Sequence, residues 1–183
     1  MSIDPFMRNL EDLLQDLPQG RREDIMAVIQ PLRRYAALME QAVAVGQAAF
    51  GGADADKVAH LTLEGASRVG SYRAGAFVVL TPEGPMIAAT LGEFAGTEGR
   101  PAPVEMLATQ VTRLAPDRLR AVGNALGITL PAFELYLVPV TSPGSYVGTL
   151  ALLDADGESP DDRPMESYAS RAAMAYLHAA RLL

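Results

Sequence analysis

Residues 133–153 read FELYLVPVTSPGSYVGTLALL, and this stretch decides the fold. Two apolar runs, at 133–141 and 146–153, flank the turn-forming residues SPGS at 142–145. Proline and glycine between two such runs indicate a β-hairpin. Because both runs are apolar almost throughout, they predict strands that are buried on both faces of a sheet.

The rest of the chain divides into helical and extended patterns. An apolar stretch at 74–81, the turn sequence PEGP at 82–85 and a second apolar stretch at 86–91 predict another hairpin, with a four-residue connection. Residues 92–103 are rich in Gly and Pro and predict a surface loop. Apolar residues at helical spacing predict helices over 10–17, 21–50, 54–69, 104–114, 117–126 and 164–183.

This order of elements predicts an α+β fold, in which a central antiparallel sheet is flanked by helices and preceded by an N-terminal helical extension. We interpret residues 1–6, MSIDPF, as a cloning remnant. Residues 7–52 are predicted to form the extension with its dimerisation helices, and residues 53–183 the sheet domain. The two middle helices should cover one face of the sheet and leave a small cavity beneath them, where a ligand could bind.

The composition narrows the classes of function. The chain has 15 Lys and Arg against 22 Asp and Glu, a net charge of −7, which disfavours nucleic acid as a partner because phosphate binding needs a basic face. It contains no cysteine, which excludes disulfides, iron–sulfur clusters, thiolate zinc sites and thioether-linked bilins. No apolar run reaches the roughly 18 residues of a membrane span. We therefore expect no membrane insertion and, with no leader, a bacterial cytoplasmic location; a fragment of a larger membrane-anchored receptor would show the same pattern.

The long predicted helix carries an apolar seam from Ile25 to Phe50, with alternating spacings of four and three residues. This heptad-like pattern leaves two interpretations open: an amphipathic helix that covers its own core, or a surface shared between two subunits. Val28, Tyr35 and Leu38 widen the apolar surface enough to serve both. The second interpretation predicts a homodimer with an interface at Ile25, Ile29, Leu32, Ala36, Met39 and Val43.

Three stretches together resemble a GAF domain. The first runs from residue 66 through the first hairpin to residue 92, the second joins LVPV at 137–140 to YVGTLAL at 146–152, and the third is the Ala-rich helix at 165–181. The family shows a similar apolar-Pro-apolar strand, a turn and a Gly-x-Leu-x-Leu strand. The resemblance covers most of residues 54–183 and is one of pattern and order, because the family has no fixed catalytic residues.

The resemblance implies a profilin-like sheet and a sensory or regulatory module. Such modules bind a small molecule, such as a cyclic nucleotide, tetrapyrrole, metabolite or inorganic anion, and many dimerise through terminal helices. A partner signalling protein or additional receptor domains would then carry the output. The chain departs from the family at 104–127, which is predicted helical. It also lacks the Asn-Lys-x-Asp-type signature of the cyclic-nucleotide subset, and without cysteine it lacks the free methionine sulfoxide reductase chemistry.

Candidate ligand-binding residues follow from position rather than from a motif. They are Tyr72, Arg73, Thr90, Glu93, Gln110, Arg113 and Tyr136. Gln110 and Arg113 would lie on the predicted lid helix, where Arg113 could hold an anionic group by a bidentate contact. By strand alternation Tyr136 should point away from its neighbours Leu135 and Leu137. The first two candidates are expected in the loop before the first strand.

No catalytic or metal site is predicted, and we expect no enzyme. His60 and His178 are the two histidines, and a haem with one axial histidine stays compatible with either, so the cofactor is left open. The acidic stretch at 154–162 does not have EF-hand spacing. The sequence contains no P-loop, dinucleotide fingerprint or G-x-S-x-G motif.

Two alternatives stand beside the small-molecule sensor. One is a ligand-free dimerisation or protein-docking module, and the other is a profilin-like scaffold of a different family. A pocket that is filled by Met86, Phe94, Met106 or Phe133 would favour the docking module, whereas a bound small molecule would favour the sensor.

Overall fold

The computed structural model describes residues 12, 14, 17–70, 72–131, 133–154 and 162–181. The predicted cloning remnant, most of the helix predicted at 10–17 and most of the acidic stretch lie outside these ranges. The described elements are α1 (Gln19–Phe50), α2 (Ala55–Gly70), β1 (Tyr72–Thr81), β2 (Gly84–Leu91), β3 (Thr112–Leu114), α3 (Pro116–Leu126), β4 (Leu135–Ser142), β5 (Ser145–Asp154) and α4 (Asp162–Ala179).

The five strands form one antiparallel sheet in the order β2-β1-β5-β4-β3. Both predicted hairpins are confirmed, β1 with β2 and β4 with β5. Each closes through a two-residue turn, at 82–83 and 143–144. The four-residue connection predicted for the first hairpin is too long, because Pro85 still pairs with Leu80. The α+β fold with a central antiparallel sheet is confirmed.

The centre of the sheet depends on Gly148 in β5. This strand lies between β1 and β4, and Gly148 pairs with Val79 on one side and Val140 on the other. A Cβ atom at this position would overlap the carbonyl oxygen of Val78. The two strands can therefore approach each other here only because β5 has no side chain at this point.

The two faces of the sheet are covered differently. The helix face, under α1, α2 and α4, buries Tyr136 together with Leu38 and Tyr168. The loop face, under α3 and residues 92–111, buries Leu135 and Leu137, which confirms the predicted alternation around Tyr136. Other fully buried members of the loop-face cluster are Val78, Ile87, Phe94, Met106, Leu119, Val122 and Leu153.

The C-terminal half of α1 anchors this helix to the sheet. Its buried residues, Leu38, Ala42, Val45 and Ala49, share one helical face. The described residues of α1 before Leu38 are all half-buried or exposed. Pro31 lies inside the helix without ending it.

The N-terminal half of α1 extends past the helices that pack against it. The guanidinium of Arg34 donates to the carbonyl oxygen of Gly70, the last residue of α2, at 3.2 Å. The first turns of α4 pack on the middle of α1. Near the other end of α4, the centre of the His178 ring lies 4.4 Å from the centre of the Phe50 ring. Because α4 has 18 residues, it begins about level with Arg34. Residues 19–33 therefore extend about 22 Å beyond both neighbours, at about 1.5 Å per residue.

Residues that commonly begin or end helices lie at the ends of α1, α2 and α3. Gly51 follows the last residue of α1. The carboxylate of Asp54 accepts from the backbone N–H of Lys57 at 2.8 Å, which satisfies a free donor in the first turn of α2. Pro116 begins α3, and Gly127 follows it in the left-handed conformation, with φ at 68°. The second predicted middle helix is thus confirmed.

The helix predicted over 104–114 is wrong. The chain forms a 3₁₀ turn at Val104–Met106 and then β3, which pairs with β4. Val104 belongs to the predicted apolar face but is 70% exposed, whereas Met106 lies outside that face and is fully buried. The edge of β4 offers backbone hydrogen-bonding partners to residues 112–114, and this pairing overrides the helical spacing of the side chains.

Candidate functional site

The loop face is filled by side chains of the chain itself. Phe94 and Met106, each from a short 3₁₀ turn, are fully buried where the cavity is predicted. Met86 is half-buried against the helix-face cluster instead, and Phe133 is 39% exposed. Two of the four residues named for filling the pocket therefore do so, which is the arrangement expected of a ligand-free module.

A buried threonine fastens the covering segment to the sheet. The Oγ1 atom of Thr149 in β5 accepts from the backbone N–H of Ala108 at 3.0 Å. The same atom shares a hydrogen bond of 2.6 Å with the hydroxyl of Tyr146. Because Ala108 lies two residues after Met106, these bonds hold in place the segment that buries the methionine.

Thr149→Val should destabilise the fold by about 1–3 kcal/mol, because it leaves the buried N–H of Ala108 without an acceptor. Urea unfolding measures the change in free energy. Thr112→Val, the same chemical change on the edge strand β3, is the matched control and should stay within about 0.5 kcal/mol of wild type. Equal stability of the two variants would contradict the role given to Thr149.

Three of the seven predicted ligand-binding residues lie on the helix face. Tyr72 belongs to β1 rather than to a loop before it, and its ring stacks on that of Tyr136 with centroids 6.1 Å apart. Arg113 belongs to β3 rather than to a lid helix, and its guanidinium carbon lies 5.2 Å from the centre of the Tyr136 ring. Its Nη1 atom is also 3.5 Å from the carboxylate of Glu134, so its charge is engaged within the chain.

The other four candidates lie in separate places. Arg73, also in β1, forms an ion pair with Glu93. Its guanidinium carbon lies 5.8 Å from the centre of the Phe133 ring. The hydroxyl of Thr90 donates to the carboxylate of Glu98 at the edge of β2, and Gln110 is exposed. The structure thus brings together Tyr72, Tyr136 and Arg113, and separately Arg73 with Glu93, but it does not gather the seven around one cavity.

A polar cluster at the β2 edge escapes sequence analysis. The Oε1 atom of Glu98 accepts from the backbone N–H and the hydroxyl of Thr90, at 3.0 and 2.8 Å, and Nε2 of His60 lies 3.2 Å from the same oxygen. The Thr90 hydroxyl is the largest cause that holds the pKa of Glu98 below its usual value, against a smaller opposing effect of burial. His60 and Glu98 are 38 residues apart, and no spacing rule links them.

An exposed apolar surface on α1 is the second candidate site. We define the α1 stripe as five large side chains that are 43–73% exposed: Val28, Leu32, Tyr35, Val43 and Phe50. At about 100° per residue, the centre of this stripe lies about a quarter-turn or more around the helix from the buried face. Monomeric proteins rarely leave so long an apolar surface uncovered.

The predicted interface residues divide into two groups around this stripe. Leu32 and Val43 belong to it and are exposed. Met39 packs partly against the helix-face core, so the helix serves its own domain and still presents an open apolar side. The half-buried members of the predicted set are Ile25, Ile29, Ala36 and Met39.

Helix α4 continues the apolar surface. His178 contacts Phe50, and Met174 lies one turn earlier on the same side of α4 and is 44% exposed. The sequence pattern does not single out Met174, because the residue lies outside the apolar face of α4 that includes Tyr168 and Ala172. Phe50 was in the seam but not among the predicted interface residues.

No protein-family model matches the sequence, and no curated protein sequence matches it. Solved structures do share the fold. The GAF domain of a protein described as a sensor histidine kinase from Pseudomonas syringae pv. tomato is 20% identical with a TM-score of 0.56, over 85% of this chain and 94% of that one. The GAF domain of an Acinetobacter phosphoenolpyruvate-protein phosphotransferase is 9% identical with a TM-score of 0.61, over 79% and 95%. A fragment of a methyl-accepting chemotaxis protein is 16% identical with a TM-score of 0.56, over 81% and 99%.

The chain has the GAF fold. The resemblance carried by the two hairpins and the last helix is thereby confirmed. The helical departure predicted at 104–127 is wrong for 104–114, where the strand β3 forms, whereas 116–126 is helical as predicted. In this GAF fold the loop face is closed by Phe94 and Met106, and the helix layer carries the exposed stripe.

Two further observations bear on what this GAF fold can do. Among the described residues, no three or more His, Cys, Asp or Glu side chains are grouped so that they could hold a metal ion. Within the same part of the chain, no helix combines the length and apolar character needed to cross a bilayer.

Proposed function

We propose that this chain is a regulatory module that forms a homodimer through the α1 stripe and passes a conformational signal along its helices to a partner protein or a further domain. The observation that carries this proposal is the α1 stripe, which is exposed on a helix whose other side is buried in the core. Removing apolar surface from water is favourable by about 25 cal/mol per Å². A stripe of this length therefore has a strong tendency to associate.

A second copy of the chain is the partner that this surface fits best. The stripe runs from Val28 to Phe50, about 33 Å, and all its members are apolar or aromatic. A two-fold axis brings the same patch of both subunits together, and an apolar stripe at heptad-like spacing is complementary to itself. Met174 of α4 would widen the contact, so that α1 and α4 of both subunits form a four-helix arrangement. The residues bordering the stripe would be Ile25, Ile29, Ala36 and Met39.

The similar structures support a regulatory role. They come from proteins described as a sensor histidine kinase, a phosphotransferase and a chemotaxis protein, which have different outputs. A domain that accompanies such different outputs is better suited to regulate them than to supply their chemistry. Since one fold can serve many functions, the argument for this chain rests on its exposed helix surface.

A small-molecule sensor is the second candidate, and the cover of the loop face favours it. Residues 92–111 form two 3₁₀ turns and extended loops rather than a regular helix. Met106, which closes the face, has an unbranched and adaptable side chain. A ligand would take the place of Met106 and Phe94. Its binding would displace the segment and shift the balance of conformations toward the bound state.

Native mass spectrometry of the purified protein tests both candidates together. We expect a species of twice the 19.4 kDa chain mass with no additional component. Sedimentation velocity of the same sample should also show the dimer, and this measurement is made in solution, so it does not depend on ionisation of the protein. A dimer with a constant extra mass would favour the sensor, and a monomer at tens of micromolar in both measurements would overturn the dimer.

A further inference from the structure

His60 joins two parts of the fold that are distant in sequence. Its ring is 38% exposed, on the second turn of α2. Nδ1 lies 2.9 Å from the backbone carbonyl oxygen of Asp56, and Nε2 lies 3.2 Å from Oε1 of Glu98. Glu98 belongs to the segment that runs along the edge of β2 and leads into the cover of the loop face.

The two partners of the ring determine where its protons must be. A backbone carbonyl oxygen only accepts hydrogen bonds, so Nδ1 must carry a proton to bond Asp56. An ionised carboxylate also only accepts, so Nε2 must carry a proton to bond Glu98. Both contacts are satisfied together only by the doubly protonated, positively charged imidazolium.

Thr90 is the main partner that holds the pKa of Glu98 below its usual value, and His60 adds a smaller effect in the same direction. The backbone N–H and the hydroxyl of Thr90 both donate to Oε1. Next to this contact, the backbone N–H of Gly99 donates to the carbonyl oxygen of Ile87 at 2.8 Å. The carboxylate is therefore fixed in position at the sheet edge. Whether α2 is hydrogen-bonded to it then depends on the protonation of His60.

We propose that His60 and Glu98 form a proton-dependent tie between α2 and the segment that covers the loop face, closed when His60 is charged and released when it loses its proton. An ordinary histidine changes charge between about pH 5 and 8, so the tie weakens as the pH rises through that range. The inference rests on the proposed function in one respect: α2 follows α1 directly, so the tie would couple protonation to the helix layer that carries the output.

The charged groups around His60 favour this assignment. Glu98 faces it from the covering segment. On its own helix, Asp56 lies one turn before it and Glu64 one turn after, with Lys57 three residues before. From α4, Tyr176 is close enough to Asp56 that the carboxylate helps to raise the tyrosine pKa. In this set the three carboxylates outnumber the single lysine, so a charged imidazolium has more opposite than like charges around it.

Hydrogen exchange at the Thr90 amide tests the tie, because this N–H donates to the Glu98 carboxylate. In the wild type the protection factor, corrected for the intrinsic rate, should fall about two- to fivefold between pH 6 and pH 8, the range typical of an exposed ion pair. In His60→Gln, which cannot become charged, the fall should be absent. Glu98→Gln should remove the dependence as well.

His178→Gln is the matched control, because it removes the other histidine and should leave the pH dependence of the Thr90 amide intact. A His60→Gln protein that keeps the wild-type dependence would overturn the proposal. The tie lies within one chain, so it should persist in a monomeric variant. A wild-type chain that is monomeric but keeps this pH dependence would therefore contradict the proposed function and leave the tie intact.

Discussion

The double substitution Leu32→Glu and Val43→Glu should separate the proposed dimer into folded monomers. Both side chains are more than half exposed, at 65% and 54%, so the isolated subunit loses little by the change. In the dimer, each carboxylate would be buried against an apolar helix without a partner, which costs several kcal/mol. We expect the dimer Kd to rise more than about 100-fold, or about 2.8 kcal/mol, in sedimentation equilibrium.

The control adds the same charge to the same helix outside the stripe. Gln30 and Ala44 are exposed and lie on other sides of α1, so Gln30→Glu with Ala44→Glu should leave the Kd within about threefold of wild type. Circular dichroism of both double variants should match the wild type. A stripe variant that still dimerises with the wild-type Kd would show that the α1 stripe is not the interface.

Gly148→Ala should cost about 3 kcal/mol or more of folding free energy. Even a methyl group here would overlap the carbonyl oxygen of Val78, and β1 and β5 would have to move apart in the middle of the sheet. Overpacking a rigid site typically costs about 1–3 kcal/mol, and backbone cannot yield as a flexible side chain does. A total stability of about 5–15 kcal/mol would be reduced substantially. The midpoint of urea unfolding measures the loss.

Gly20→Ala is the comparison, because an added methyl group at this helical glycine would meet nothing within 4 Å. It should leave stability unchanged or raise it by up to about 1 kcal/mol, since alanine favours helix. If Gly148→Ala were as stable as Gly20→Ala, the close approach of β1 and β5 would not be essential to the fold.

The hairpins were predictable from the sequence because the apolar character of their side chains follows directly from where these strands lie in the fold. Residues 135–140 face two layers at once, and only apolar side chains suit that position. The turn residues at 143–144 then set the register of the two strands. The division of the chain at residue 52 stays a prediction.

The remainder depended on contacts that no local pattern encodes. The stretch at 104–114 has helical spacing, yet the edge of β4 takes up residues 112–114. Arg113 was therefore placed on a lid, whereas it lies beside Tyr136 on the opposite face. The contact between His60 and Glu98 joins two elements that only the folded chain brings together. The seam on α1 was predictable, but only the solvent exposure of each side chain in the structure distinguishes its exposed residues from its core residues.

Pro31 lies in the part of α1 that extends beyond α2 and α4. Proline has no N–H, so the carbonyl oxygen of Ala27 lacks its helical donor, and the helix is softest just before its lateral support begins. The 12 residues before Pro31 form an arm of about 18 Å. A bend of about 10° at Pro31 would swing the end of that arm by about 3 Å, roughly half the 5.4 Å pitch of a helix. The helix can thus act as a lever that converts a small angular change at the domain into a displacement at residue 19.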